Sequence, residues 1–152
     1  MQIRPVHPEE ASTLTEIALA SKAFWGYSAA QLAQWREDLS PSAASIREQP
    51  TFVAEIDGAV AGFYQINLSA EPVELDHLWV DPRFMRQGVG RALISHATAT
   101  MAQRGIAQLL IDSEPHAEAF YLAMGAMRIG ERAAPIVGEP LRIRPQLRLA
   151  TG

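Results

Sequence analysis

The sequence predicts a mixed α/β fold carried by one domain spanning residues 1–152, and three observations support that expectation. β-rich runs and helical stripes alternate along the whole chain, with no repeat, low-complexity tract or linker between them. Asp57-Gly58 separates two β-rich runs, which is the strongest short-range signal for a hairpin. A strand-like run ending at Val80 leads through a basic, glycine-containing loop into a long helical stripe. At 152 residues the chain suits one compact core.

The elements follow in order. Residues 2–6 read as a short first strand. A helix is expected from Pro8, with Leu14, Ile17, Ala18 and Ser21 on one face at the helical period. The aromatic, glycine-broken stretch Phe24-Trp25-Gly26-Tyr27 interrupts it. Ser28 has the character of an N-cap for a second helix, whose buried side would be Leu32, Trp35 and Leu39. Ser40-Pro41 stops that helix, and residues 42–48 add a turn or two before Pro50. Strands are expected over 51–56 and 59–68 around the Asp-Gly turn, then over 73–80. A helix from about Gly88 to Arg104 carries Val89, Leu93, Ala97 and Met101 every four residues. Residues 108–112 read as a buried strand. Pro115 opens a further helix to about Met124, ended by Gly125. Residues 126–131 and 142–149 close the fold as strands, and Pro145 suggests that the last is an edge or is bulged.

Composition narrows the function. A hydrophobic content of 48% with 20% charged residues is that of an ordinary globular protein. No apolar run nears the roughly 20 residues of a membrane span, and the opening residues lack a signal-peptide core. No membrane partner and a cytoplasmic location are expected. With no cysteine there is no thiolate nucleophile and no Cys-ligated metal, and no metal site is expected. A net charge of −4 argues against nucleic acid as a partner. Yet Arg83, Arg86 and Arg91 gather at the glycine loop, and a local basic site on an acidic protein suits a small polyanion. Free N–H groups and the helix dipole converge there, while Gly88 and Gly90 let the backbone approach a phosphate. A pyrophosphate-bearing ligand follows as the first expectation.

Two motifs then stand in order. Met85-Arg-Gln-Gly-Val-Gly90 fits a Gln/Arg-x-x-Gly-x-Gly/Ala loop, with Met85 in place of the usual first residue. Glu114-Pro-His-Ala-Glu-Ala-Phe-Tyr-Leu-Ala-Met-Gly125 fits Asp-Pro-Asn-Ala-x-x-Phe-Tyr-x-x-x-Gly, with His116 in place of Asn. With the element order, they make the chain resemble the GNAT superfamily of acyl-CoA-dependent N-acetyltransferases. The resemblance implies a mostly antiparallel central sheet flanked by helices, and acetyl-CoA as cofactor. It implies that Leu78, Trp79 and Val80 pair with the pantetheine amides along a strand edge splayed by a bulge. Arg86, Gln87, Gly88, Val89, Gly90 and Arg91 would wrap the pyrophosphate, and His116 would touch the cofactor arm. Tyr121 falls where the family places the tyrosine that protonates the departing thiolate.

Transfer to an amine also needs a proton acceptor and a donor to the thioester carbonyl. The backbone N–H of Val80 or a neighbour is placed for the second task. Glu74, Asp76 and His77 are candidates for the first, and strand alternation would put Glu74 and Asp76 opposite His77 unless a bulge intervenes. Trp25 and Tyr27 lie in the stretch that shapes the acceptor pocket in the resembled family, and acidic Glu71 and Glu74 favour a cationic acceptor. The leading expectation is acetyl transfer to a primary amine of a small molecule or amino-acid-like compound. Acetylation of a protein or peptide is the alternative, as is a non-catalytic acyl-CoA sensor. Monomer and homodimer both remain open.

Overall fold

A computed structural model describes residues 1–152. Seven strands form one sheet in the order β1-β2-β3-β4-β5-β7-β6. They are β1 (Gln2–Pro5), β2 (Thr51–Ile56), β3 (Ala59–Asn67), β4 (Glu74–Val80), β5 (Gln108–Asp112), β6 (Met127–Ala133) and β7 (Ile143–Ala150). Five helices accompany them: α1 (Ala11–Phe24), α2 (Ala29–Trp35), α3 (Ala43–Glu48), α4 (Val89–Gln103) and α5 (Glu118–Ala123). All strand pairs are antiparallel except β4 with β5. This is the mixed, mostly antiparallel sheet that the resemblance implied.

Local chemistry explains most boundaries. The Ser28 hydroxyl accepts from Gln31 N and starts α2, and Ser42 does the same for α3 from Ser45 N. Asp57 and Gly58 sit at φ 50° and 81°, the left-handed pair that turns β2 into β3. The helical stripes bury as their period requires. Val89, Leu93, Ala97 and Met101 of α4 pack with Leu109, Ile111, Leu147 and Leu149 on one face of the sheet. Leu14, Ile17 and Ala18 of α1 pack with Val53 and Phe63 on the other. The second helix is shorter than its sequence suggested: α2 buries no residue fully, and Leu39 is buried in the turn beyond it.

Pro145 is the main departure. β7 lies between β5 and β6, so the edge strand is β6, all of whose residues are exposed. The irregularity in this pair falls on β6, between Arg128 and Gly130. Pro145 is tolerated because β5 has ended at that level: Asp112 is opposite Gln146, and Pro145 O accepts from Ser113 N beyond the strand.

Candidate active site

The sheet is open at its centre. β4 and β5 pair only where Glu74 meets Leu110, and Leu110 N donates to Val73 O at 3.0 Å. Past that point the strands diverge, and the edge of β4 from Leu75 to Val80 loses its β5 neighbour. The register of β4 on β3 also slips here, with Gln65 opposite His77 but Ile66 opposite Leu75. Asp76 is the extra residue, a bulge that turns the chain. Leu75 and Leu78 therefore both join the α4-side core, while Trp79 packs against the α1-side core and His77 lies 6.0 Å from the Phe63 ring.

Two cavities meet at this splay. The larger, about 510 Å³, runs from the loop before α4 along β4 to the start of α5. Its lining includes Leu78, Trp79, Val80, Arg86, Gly88, Val89, Gly90, Arg91, Trp25, His116 and Tyr121. The smaller, about 310 Å³, opens beside α1 and α2 and is lined by Glu74, Asp76, His77, Trp35, Asp38 and Lys22 among others. Leu75, Asp76, Trp79, Asp112 and Arg144 line both. Alternation alone would have separated His77 from Glu74 and Asp76; the bulge brings all three to one cavity.

The loop before α4 has the character of an anion site. Arg86 and Gly88 adopt φ 64° and 80°, and the first helical bond is Ala92 N to Gly88 O. The amides of Val89, Gly90 and Arg91 thus have no carbonyl ahead of them in the helix. Gly90 has a second reason to lack a side chain, since a Cβ there would lie 3.1 Å from the Phe120 ring. Of the three arginines, Arg86 and Arg91 face the cavity, whereas Arg83 is bound to Asp81 at 2.8 Å. Gln87 is exposed and outside the lining. A free strand edge, unpaired helix amides and two arginines fit a long amide-bearing ligand that ends in a diphosphate.

Tyr121 is 6% exposed and still borders the larger cavity, and burial pushes its phenol above its ordinary value. Glu74 is also raised, by burial and by the charges of Asp76 and Asp112, against the opposing Arg132. His77 is lowered by burial, with Asp76 opposing. Its Nδ1 accepts a bond from Trp79 Nε1 at 3.2 Å.

A buried polar cluster lies between α1 and the start of α5. Glu114 forms an ion pair with Lys22, accepts from the Tyr27 hydroxyl at 2.8 Å, and lies 2.7 Å from His116 Nδ1. Arg142 Nη2 lies 3.6 Å from the same carboxylate and donates to the Tyr27 oxygen at 3.2 Å. Burial alone would raise the Glu114 carboxyl, but Lys22, Tyr27 and His116 outweigh it and bring it down to about 2. Tyr27 is pushed up to about 12 by burial and by Glu114, against Arg142. Tyr27 therefore lies in this cluster and lines neither cavity, while Trp25 stacks on His116 at 4.9 Å beside the larger one. Lys22 had a sequence signal of its own: it falls four residues after Ala18, on the buried face of α1.

Comparison with known proteins agrees with this geometry. The acetyltransferase (GNAT) domain matches residues 12–134. The chain belongs to the GNAT acetyltransferase family. Family members are acyltransferases that use acetyl-CoA. The fold is similar to that of a GCN5-related N-acetyltransferase from Rhodopseudomonas palustris, with a TM-score of 0.81 and 26% identity over 98% of this chain and 94% of that one. It is also similar to PaiA N-acetyltransferase from Thermoplasma acidophilum in complex with coenzyme A, with a TM-score of 0.76 and 20% identity over 98% of both chains. A ribosomal protein bS18-alanine N-acetyltransferase of Escherichia coli strain K12 is 33% identical over 72 residues, which are 45% of this chain and 49% of that enzyme. The match thus spans about half the length of that relative. No helix is long and apolar enough to cross a membrane.

Proposed function

We propose that residues 1–152 act as one N-acetyltransferase domain, moving an acetyl group from acetyl-CoA to a primary amine that enters from the α1–α2 side. The observation that carries this reading is the meeting of two chemically different cavities at the Asp76 bulge. One offers amides and arginines to a diphosphate, the other carboxylates to an ammonium group. Acetyl-CoA supplies the acetyl as a thioester, an activated form that an amine can attack.

The chain's own residues then have separable tasks. The α4 amides, Arg86 and Arg91 hold the diphosphate end, and Leu78 to Val80 align the amide arm by strand-like pairing. Glu74 takes the proton of the incoming ammonium, directly or through water. Its raised pKa brings it nearer to neutrality than an ordinary carboxylate, which suits a base. His77 is a poorer base, because Trp79 occupies Nδ1 and the proton of the neutral ring must then sit on Nε2. As the N–C bond forms and the C–S bond breaks, Tyr121 gives its phenolic proton to the departing sulfur and regains one from solvent. A cytoplasmic setting goes with the cofactor.

Release of free thiol from acetyl-CoA, followed across amines and peptides, tests the reading. Turnover with an amine is expected, together with a rise in thermal midpoint on adding acetyl-CoA. No shift at saturating acetyl-CoA would overturn the proposal. Binding without turnover across the panel would favour a sensor.

A further inference from the structure

We propose that His77 recognises the acceptor: its Nε2–H donates to an oxygen carried beside the reacting amine, so the acceptor is an α-amino carbonyl compound. An amino acid or the first residue of a peptide meets that description, and a plain alkylamine does not. The inference rests on the acetyltransferase reading and adds the class of acceptor to it.

One hydrogen bond fixes the tautomer of His77. The indole N–H of Trp79 can only donate, so Nδ1 of His77 must accept, and a neutral imidazole in that position keeps its one hydrogen on Nε2. His77 is 9% exposed, and burial disfavours its charged form. Nε2 makes no hydrogen bond within the chain, and His77 is among the residues that line the smaller cavity. A donor on a nearly buried ring held in one orientation, with no partner in the chain, can take an oxygen from whatever fills that space.

The neighbouring groups set what else that molecule carries. Glu74 and Asp76 make no ion pair within the chain, and both border the cavity next to His77, so an ammonium group is matched there. The nearby cations have carboxylate partners, Lys22 with Glu114 and Arg132 and Arg144 with Asp112, although Arg144 Nε itself makes no hydrogen bond. His77 is therefore a free neutral donor one residue from the bulge, on a ring that Trp79 orients. An amine with a carbonyl on the adjacent carbon presents a cation and an oxygen acceptor close together, to match Asp76 and His77, which are neighbours in the chain and line one cavity.

Four acceptors test this: alanine, alaninamide, trialanine, and 2-aminopropane, which keeps the amine and one methyl but replaces the carbonyl with carbon. Relative kcat/KM from thiol release is compared between the wild type and two variants, which cancels the different basicities of the amines. The wild type should prefer at least one carbonyl-bearing acceptor over 2-aminopropane by about tenfold or more. His77→Phe should reduce that preference to within about threefold, and His77→Gln, whose amide still donates, should retain part of it. Alanine in front would identify a carboxylate as the oxygen source; alaninamide and trialanine in front would identify a peptide N-terminus. An unchanged preference in His77→Phe overturns the inference. So does turnover of other amines with none of the three carbonyl acceptors, and in both cases acetyl transfer itself stands. No turnover with any amine defeats both readings. Nitrogen-15 spectra of the intact protein, assigned through the signal missing in His77→Gln, should show a neutral Nε2–H ring at pH 7. An Nδ1–H tautomer or an imidazolium at that pH would also overturn it.

Discussion

Lys22 and Glu114, 92 positions apart, form a buried ion pair that ties the last turns of α1 to the entrance of α5. Both side chains are about 5% exposed or less. Trp35 lies under the ammonium at 4.4 Å, with Tyr27 at 5.1 Å. Removing one partner leaves a nearly buried charge without its counter-ion. Lys22→Met should therefore lower the unfolding free energy by about 2–3 kcal/mol, toward the lower end of such losses because Arg142 remains near the carboxylate. Adding Glu114→Gln should return part of the loss. Urea unfolding of the single and double variants measures this, and a double variant weaker than Lys22→Met would contradict it.

The same carboxylate makes stability depend on pH in a defined window. Glu114 is held at about 2 in the folded protein against an ordinary 4.5. The unfolded chain binds its proton first as the pH falls, so this stabilisation is complete above pH 4.5 and is lost on descending toward 2. A shift of this size corresponds to about 3 kcal/mol. Unfolding free energies of wild type and Glu114→Gln, compared from pH 6 to 2.5, should converge over that interval. A constant gap would mean that the carboxylate is not stabilised by its partners.

Lys22 and Asp76 mark what the sequence hid, and α4 marks what it displayed. The stripe Val89, Leu93, Ala97 and Met101 and the turn Asp57-Gly58 depend on periods of a few residues, so they are readable within one segment. The pairing of Lys22 with Glu114 depends on how distant segments meet, and only a lysine on an apolar stripe hinted at it. The bulge at Asp76 is a property of β3 and β4 together, since nothing within 74–80 says which residue will lack a partner. Pro145 shows the converse. Its local rule was sound, but the relevant edge was the end of β5, not the margin of the sheet. The larger cavity, with much of its lining in 78–91, was more legible than the smaller one, where Asp38, Asp112, Arg132 and Arg144 come from separate elements.

Close backbone approach near the splay predicts an order of sensitivity among glycines. A Cβ at Gly62 would lie 2.7 Å from Trp79 O, a backbone atom, whereas one at Gly90 would lie 3.1 Å from the ring of Phe120, which can turn. Gly62→Ala should cost about 1–3 kcal/mol, and Gly90→Ala less. Gly90→Ala should still raise the KM for acetyl-CoA, because it moves the first turn of α4 on α5. Thermal melts and acetyl-CoA titrations check both, and the reverse order of stabilities would argue against this packing.

Glu74 should set the acidic limb of the pH–rate profile. Its pKa is raised by burial and by Asp76 and Asp112, so kcat/KM should fall as the pH drops through a value above 4.5, where the carboxylate gains its proton. Glu74→Gln should lower kcat/KM by about 10²-fold or more and remove that limb. Asp76→Asn should shift the limb to lower pH by deleting the like charge that holds Glu74 up. A limb unmoved in both variants would assign proton removal to another group.

Tyr121 offers the sharpest separation of binding from chemistry. The residue borders the larger cavity and its ring packs with Phe120, at a centroid distance of 5.3 Å, in the α4-side core. Burial raises its pKa, so the phenol stays protonated throughout the neutral range and is available as an acid. Tyr121→Phe keeps the ring and removes only the proton donor. Turnover should fall by about 10²-fold while the KM for acetyl-CoA and the thermal midpoint change little. The loss should shrink for an acyl donor whose thiol is more acidic, because a better leaving group needs less protonation. A uniform loss across donors, or a matching rise in KM, would make Tyr121 a packing residue instead.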